Sequence, residues 1–186
     1  MKKSSRKIRT KTMSLVASAL LLFAANQPLP ADSQEISARY DKYSLAQEYK
    51  KQKDYQNEKT CLTAALYHEA RGEGSHGIKA VASVIENRKK HEAYPATYCK
   101  IIKQNKQFSF IAEGKPLVNA EKLAKPSERE VVASISEIAE KMLQGRFKPV
   151  LSSNVLWYTT TNITARWSKD MKKVAVIGGH KFFAKA

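Results

Sequence analysis

Thr60–Arg88 reads TCLTAALYHEARGEGSHGIKAVASVIENR, two helix-forming stretches divided by a glycine-rich turn. In the first, Leu62, Ala65 and Leu66 form one apolar face, with Thr60 placed to cap the start and Gly72 to stop the helix. In the second, Gly77–Lys90, residues Ile78, Val81, Ala82 and Ile85 recur at helical spacing behind Ser75 as the cap. The turn gathers the reactive groups: His68, Glu69, Arg71, Glu73 and His76, with three of the chain's seven glycines. A carboxyl at the C-terminal end of a mostly apolar helix is partly desolvated and sits at the negative end of the helix dipole. Both effects raise its pKa, which is what a general acid needs near neutral pH. Glu69 is therefore the candidate acid, and a plain surface pairing with Arg71 or Arg88 is the reading it competes with.

Outward from this core, Pro95 breaks the chain, Thr97–Lys103 reads as a short helix carrying Cys99, and Gln107–Phe110 reads as a short strand. A long loop with Gly114, Pro116 and Pro126 follows. Ser127-x-x-Glu130 has the form of a capping box opening a helix to Leu143, with Val131, Ile135, Ile138 and Met142 inward and Gly145 as the stop. Val155–Thr160 and Lys173–Ile177 read as strands, and Gly178-Gly179 turns the chain into His180–Phe183. Helices first and strands last, without βαβ repetition, predict an α+β fold, helix-rich with a small antiparallel sheet.

Upstream, Lys2, Lys3, Arg6, Lys7, Arg9 and Lys11 precede Met13–Ala25, thirteen uncharged residues ending near LPADS. This reads as a secretory signal peptide over 1–31, or an N-terminal anchor. The apolar run is well short of the ~20 residues a membrane-spanning helix needs. Residues 32–58 are polar and Tyr-rich, a tether or peripheral helix with Ile36, Tyr40 and Tyr43 at helical spacing, and 59–186 forms the expected catalytic domain. Of the 186 residues, 33 are Lys or Arg and 17 Asp or Glu, a net charge of +16, and loss of residues 1–31 with their six basic groups leaves +10. The 42% apolar content excludes a disordered chain. Export, and the lack of any RNP-like or zinc-finger pattern, argue against nucleic acid as partner and leave an anionic wall polymer or membrane surface. Cys61 and Cys99, an even pair in an exported chain, read by default as a disulfide, with two buried thiols as the alternative.

The string C-L-x-x-A-L-Y-x-E-A-R-G-E, then G-x-x-A-V-A-x-V-I-x-N-R, resembles the SleB-like cell wall hydrolases. The likeness continues through Tyr94-Pro95 and Cys99, Gln107-Phe108-Ser109-Phe110, Trp167, and Ile177-Gly178-x-His180-x-Phe182-Phe183. It covers essentially 61–183. The resemblance implies a lysozyme-like fold and a peptidoglycan lytic transglycosylase using Glu69 as its single acid/base, with no cofactor and no metal. Gln107, Phe108, Trp167 and His180 are the implied substrate-binding residues; strand packing for Phe108 and a core position for Trp167 are the competing readings. Tyr67 reads as helix packing, and Asn87-Arg88 as helix anchors. The implied partner is the peptidoglycan glycan strand, reached in the periplasm or after secretion, with membrane contact only through the N-terminal segment. One departure stands out: Thr159 occupies a position where relatives often carry His.

Three alternatives remain at this stage. Glu69 and Glu73 are i, i+4, so the pair could act as the two carboxyls of a muramidase-type hydrolase, although Gly72 interrupts the helix between them. Otherwise Glu73 holds the turn by accepting backbone N–H groups. His68-Glu69 begins like the zinc motif H-E-x-x-H, but Gly72 stands where the second ligand belongs. A non-catalytic wall-binding module is the last alternative.

Overall fold

The computed structural model describes residues 31–105 and 107–186, so the expected signal segment lies outside the described residues. Helix α1 runs Ala31–Ala70. Its forty residues contain neither Gly nor Pro, so nothing in the sequence stops the helix and Thr60 lies in its interior instead of capping a new one. The chain forms two compact units, one ending at Glu48 and the other spanning Tyr49–Ala186. In the first, Ile36, Tyr40, Tyr43 and Leu45 are exposed. Among the described residues no helix is long and apolar enough to cross a membrane.

The second unit carries the core. Helix α2 is Gly74–Lys90, three residues longer at its start than the sequence reading, with Glu73 rather than Ser75 at the cap position. Short helices α3 (Tyr98–Ile102), α4 (Ser109–Ala112) and α5 (Ala120–Leu123) follow. The expected strand at Gln107–Phe110 is not formed: Phe108 alone is extended before the chain turns into α4. Helix α6 is Arg129–Leu143, preceded by a 3₁₀ turn at Pro126–Glu128. The capping interaction sits two residues ahead of the expected box, with the Glu128 carboxylate accepting the Lys125 amide at 2.8 Å. Pro126 explains the displacement, because proline is preset for the first turn of a helix and donates no N–H. Val132, Ile135, Ile138, Ala139 and Met142 face the core, and Gly145 ends the segment at φ 67°.

Strands β1 (Val155–Thr160), β2 (Met171–Ile177) and β3 (His180–Lys185) form an antiparallel sheet in the order β1-β3-β2. The register pairs Tyr158 with Phe182 and Thr160 with His180, while Ile177 pairs with His180 across the two-residue turn Gly178-Gly179. Strand alternation therefore gives the sheet two unlike faces. Tyr158, His180 and Phe182 lie on the face toward the helices. Trp157, Thr159, Lys181 and Phe183 lie on the other.

Helix α2 is nailed to β1 by side chains. Asn87 donates to the Ser152 and Val155 carbonyls at 2.8 and 3.1 Å, and Arg88 Nε donates to the Leu156 carbonyl at 2.8 Å. The anchoring role expected of Asn87-Arg88 is thus realised through strand carbonyls. Cys61 on α1 and Cys99 on α3 form a disulfide, Cα atoms 5.2 Å apart. Beside it, the Glu58 carboxylate accepts the Tyr98 and Cys99 amides at 2.6 and 3.3 Å, supplying the N-terminal cap that α3 lacks.

Candidate active site

Glu69 lies in the last turn of α1, half-buried, and faces β1. Tyr158 donates its hydroxyl proton to Glu69 Oε2 at 3.1 Å. Oε1 is buried with no hydrogen-bond partner among the described residues. An ionised carboxylate with an unpartnered buried oxygen is costly, so the site favours the protonated form. Desolvation accordingly raises the Glu69 pKa above the ordinary carboxyl range, while the Tyr158 hydroxyl and the nearby Ser109 amide pull it partly back. Tyr158 itself is pushed well above the usual phenol range by burial and then by the Glu69 charge, so it stays a donor.

The competing surface pairing is not what the structure adopts. Arg71 turns away from Glu69: its Nη1 donates to the Tyr67 carbonyl and its Nε pairs with Glu128 at 3.3 Å. Tyr67 donates to the same Glu128 at 2.8 Å, as a packing residue should. Arg88 is 3% exposed and bonds a strand carbonyl, with its guanidinium 5.5 Å over Tyr94 and 5.8 Å over Phe108. His68 stacks on Phe110 with ring centroids 4.6 Å apart, and its Nε2 lies 3.3 Å from the Pro116 carbonyl.

Glu73 has a different setting. Its carboxylate accepts the Gly179 amide through Oε2, and Oε1 lies 4.0 Å from His180 Nδ1. A methyl group added at Gly77 or Gly178 would collide with the Glu73 side chain, and one at Gly179 would stand 2.9 Å from Oε1. Three glycines thus leave the room that Glu73 fills between the start of α2 and the β2–β3 turn. Gly178 also needs its freedom for conformation, since φ is 57°.

His180 is 4% exposed and its Nδ1 has no hydrogen-bond partner among the described residues. Burial lowers its pKa, which the Glu73 charge partly offsets, so the ring is neutral near pH 7. Its ring meets that of Tyr158 edge to face at 5.3 Å. Glu69, Tyr158, His180 and Glu73 therefore form a line of pairwise neighbours from the end of α1 to the start of α2.

The remaining expected substrate residues divide. Gln107 is exposed in the turn just before Ser109, on the segment flanking Glu69. Phe108 is 1% exposed and packs edge to face against Phe110, so its ring has no face to offer a sugar and the packing reading replaces the stacking one. Trp167 packs its ring on Phe183 at 5.4 Å, on the sheet face opposite Tyr158, which removes it from the Glu69 site. Thr159 shares that outer face, so the departure from the resembling family leaves the surroundings of Glu69 untouched. Tyr158 was the residue sequence reasoning missed. Its signal was the strand alternation that puts it on the same face as His180.

Residues 72–183 match the profile described as Cell Wall Hydrolase, a segment beginning just past Glu69. Two solved structures are similar over 70% of this chain. The catalytic domain of the germination-specific lytic transglycosylase SleB from Bacillus anthracis shares 25% identity with a TM-score of 0.52, over 95% of that domain. The catalytic domain of the Bacillus cereus SleB protein shares 27% identity with a TM-score of 0.51, over 91% of it. No curated protein shows significant sequence similarity to this chain.

Proposed function

This chain belongs to the Cell Wall Hydrolase family, and on that footing we propose that it cuts the glycan strand of peptidoglycan between N-acetylmuramic acid and N-acetylglucosamine as a lytic transglycosylase. Glu69 is the acid and then the base. Its proton goes to the glycosidic oxygen as the bond from C1 of muramic acid breaks, leaving an oxocarbenium-like centre. The Glu69 carboxylate then takes the proton of the C6 hydroxyl, and O6 closes on C1 to give the 1,6-anhydro ring. Atoms balance without water. One carboxyl suffices, provided it carries a proton near neutral pH.

The observation that carries this reading is the Glu69 carboxyl itself: half-buried at a helix end, one oxygen without a donor, and its pKa raised by desolvation. Tyr158 fixes the group's orientation and steadies the carboxylate that forms after the first transfer. Glu73 is already engaged with Gly179 and faces His180, which favours a positioning role for it over that of a second reacting carboxyl. Residues 59–186 act as the catalytic domain, and Gln107 contributes to substrate contact beside Glu69. The family is one of extracytoplasmic enzymes, and the Cys61–Cys99 disulfide fits the periplasm as the working compartment, with residues 1–31 as the export signal.

The test is Glu69→Gln in the full chain on purified peptidoglycan. Loss of a general acid should lower the release of soluble fragments by at least about a hundredfold, with the melting temperature unchanged or higher. Release within a few-fold of wild type would overturn the assignment.

A further inference from the structure

Both tryptophans of the chain lie on the outer face of the sheet, away from Glu69. Trp157 on β1 is the register partner of Phe183 on β3, and Trp167 packs its ring on the same Phe183. Phe183 itself is buried, at 5% exposed, while Trp167 remains 39% exposed. Of the three rings Trp157 alone borders a cavity of about 400 Å³, which is lined also by Tyr94, Leu156, Asn154, His91 and Lys185. This is within the ~300–1,000 Å³ range of ligand pockets.

The pocket wall is well supported. The buried guanidinium of Arg88 lies over the Tyr94 ring and also bonds the Leu156 carbonyl, so it ties two lining residues together. His91 accepts the Ala93 amide through Nδ1 at 3.1 Å and the Tyr94 amide through its carbonyl at 3.0 Å, fixing the loop that completes the rim. The polar groups, Asn154 and Lys185, sit at the edge of an otherwise apolar and aromatic floor. From Val155 to the C-terminus the chain carries six basic residues against the single acid Asp170.

We propose that this face is a second glycan-binding site, which takes N-acetylated sugar rings of a peptidoglycan strand outside the catalytic site. The C–H face of a pyranose packs on an aromatic ring and leaves its hydroxyls and acetamido group at the rim, where Asn154 can bond them. The carboxylates of the lactyl-peptide stems recur along the strand and meet the basic surface around Lys185 and Lys173. A site at Trp157 and Lys185, which the register places on the sheet face opposite Tyr158, holds the polymer while the catalytic site acts, which raises the effective concentration of strand. This inference rests on the reading of the chain as a peptidoglycan-cleaving enzyme.

The experiment is co-sedimentation of the full chain with purified sacculi, in the Glu69→Gln background so that the polymer stays intact. Trp157→Ala should weaken retention about tenfold. Lys185→Glu, at an exposed position, should weaken it several-fold, and more at low salt than at high salt. Titration of the parent with soluble peptidoglycan glycan fragments should quench tryptophan fluorescence, and Trp157→Ala should remove most of that response. Unchanged retention in both variants, while the wild type still cleaves sacculi, would overturn the second site and leave the enzyme reading standing. Absence of both cleavage and retention in the wild type would overturn the two together. A dimer in sedimentation velocity that Trp157→Ala dissolves, with sacculus retention unaffected, would assign the face to a second copy of the chain and overturn the proposal.

Discussion

Glu69 and Glu73 are four residues apart, flank the same glycine-rich turn, and meet opposite environments. Glu69 ends α1, receives one hydroxyl proton from Tyr158 and leaves its other oxygen buried and without a partner. Glu73 opens α2, takes the Gly179 amide and fills space left by three glycines. The difference shows that residue type and proximity do not decide which carboxyl can do acid chemistry. Desolvation does: Glu69 keeps one oxygen buried without a partner, and burial raises its pKa. Glu73 binds a backbone amide across two elements and works as a strut.

Changes that touch only the scaffold should move neither acid's chemistry, and the largest such change is loss of the disulfide. The bridge spans 38 residues of sequence, so Cys61→Ser with Cys99→Ser should cost about 3–4 kcal/mol. Calorimetry should then show a melting temperature lower by roughly 10 °C, with activity per folded molecule at 25 °C unchanged. A fall in activity per folded molecule would mean that the α1–α3 link positions Glu69 directly.

Next in size is Tyr158→Phe, which removes the one hydroxyl donor to Glu69. It should lower kcat/KM by about 10–100-fold. Because that hydroxyl favours the charged form, the basic limb of the pH–rate profile should move upward in the variant. An unshifted limb would separate Tyr158 from the proton on Glu69.

Glu73→Ala should act through the fold. Leaving the Gly179 amide unpaired costs about 1–3 kcal/mol, read by urea unfolding. Gly178→Ala should also destabilise, since its methyl group meets the Glu73 carboxylate and its φ is 57°. Combined with Glu73→Ala, the second loss should shrink to the backbone strain alone. Strict additivity would show that the glycines are not there for Glu73.

The smallest effect is on the pH dependence of stability. The folded Glu69 pKa lies above its unfolded value. The folded state therefore binds that proton more tightly, and its contribution is lost as pH rises from the ordinary carboxyl range through the raised value. Glu69→Gln removes the penalty, so its melting temperature should exceed that of wild type by a margin that grows as pH rises from the ordinary carboxyl range through the raised value. A constant margin would contradict the raised pKa.

Much of this contrast was legible in the residues. The apolar face of Leu62, Ala65 and Leu66 placed Glu69 at the end of a core helix, and Gly72 marked the turn. The β2–β3 hairpin followed from Gly178-Gly179, and the α+β order from helices preceding strands. What local pattern could not supply was tertiary. Local pattern misplaces the start of α1, because Thr60 has the chemistry of a cap while the forty residues of the helix contain no Gly or Pro to stop it. Gln107–Phe110 has a strand's composition, yet core packing of Phe108 and Phe110 selects a turn of helix. The roles of Tyr158 and Glu73 depend on sheet register across more than eighty residues of chain, which no window of sequence contains.

The most direct measurement of the central claim is the mass of the glycan ends that wild-type protein releases from purified peptidoglycan. A single acid/base at Glu69 that closes O6 on C1 predicts anhydromuramic ends, about 18 Da lighter than hydrolysed ones. Release of reducing muramic acid ends by the wild type would contradict that account and return Glu73 to consideration as a second reacting carboxyl.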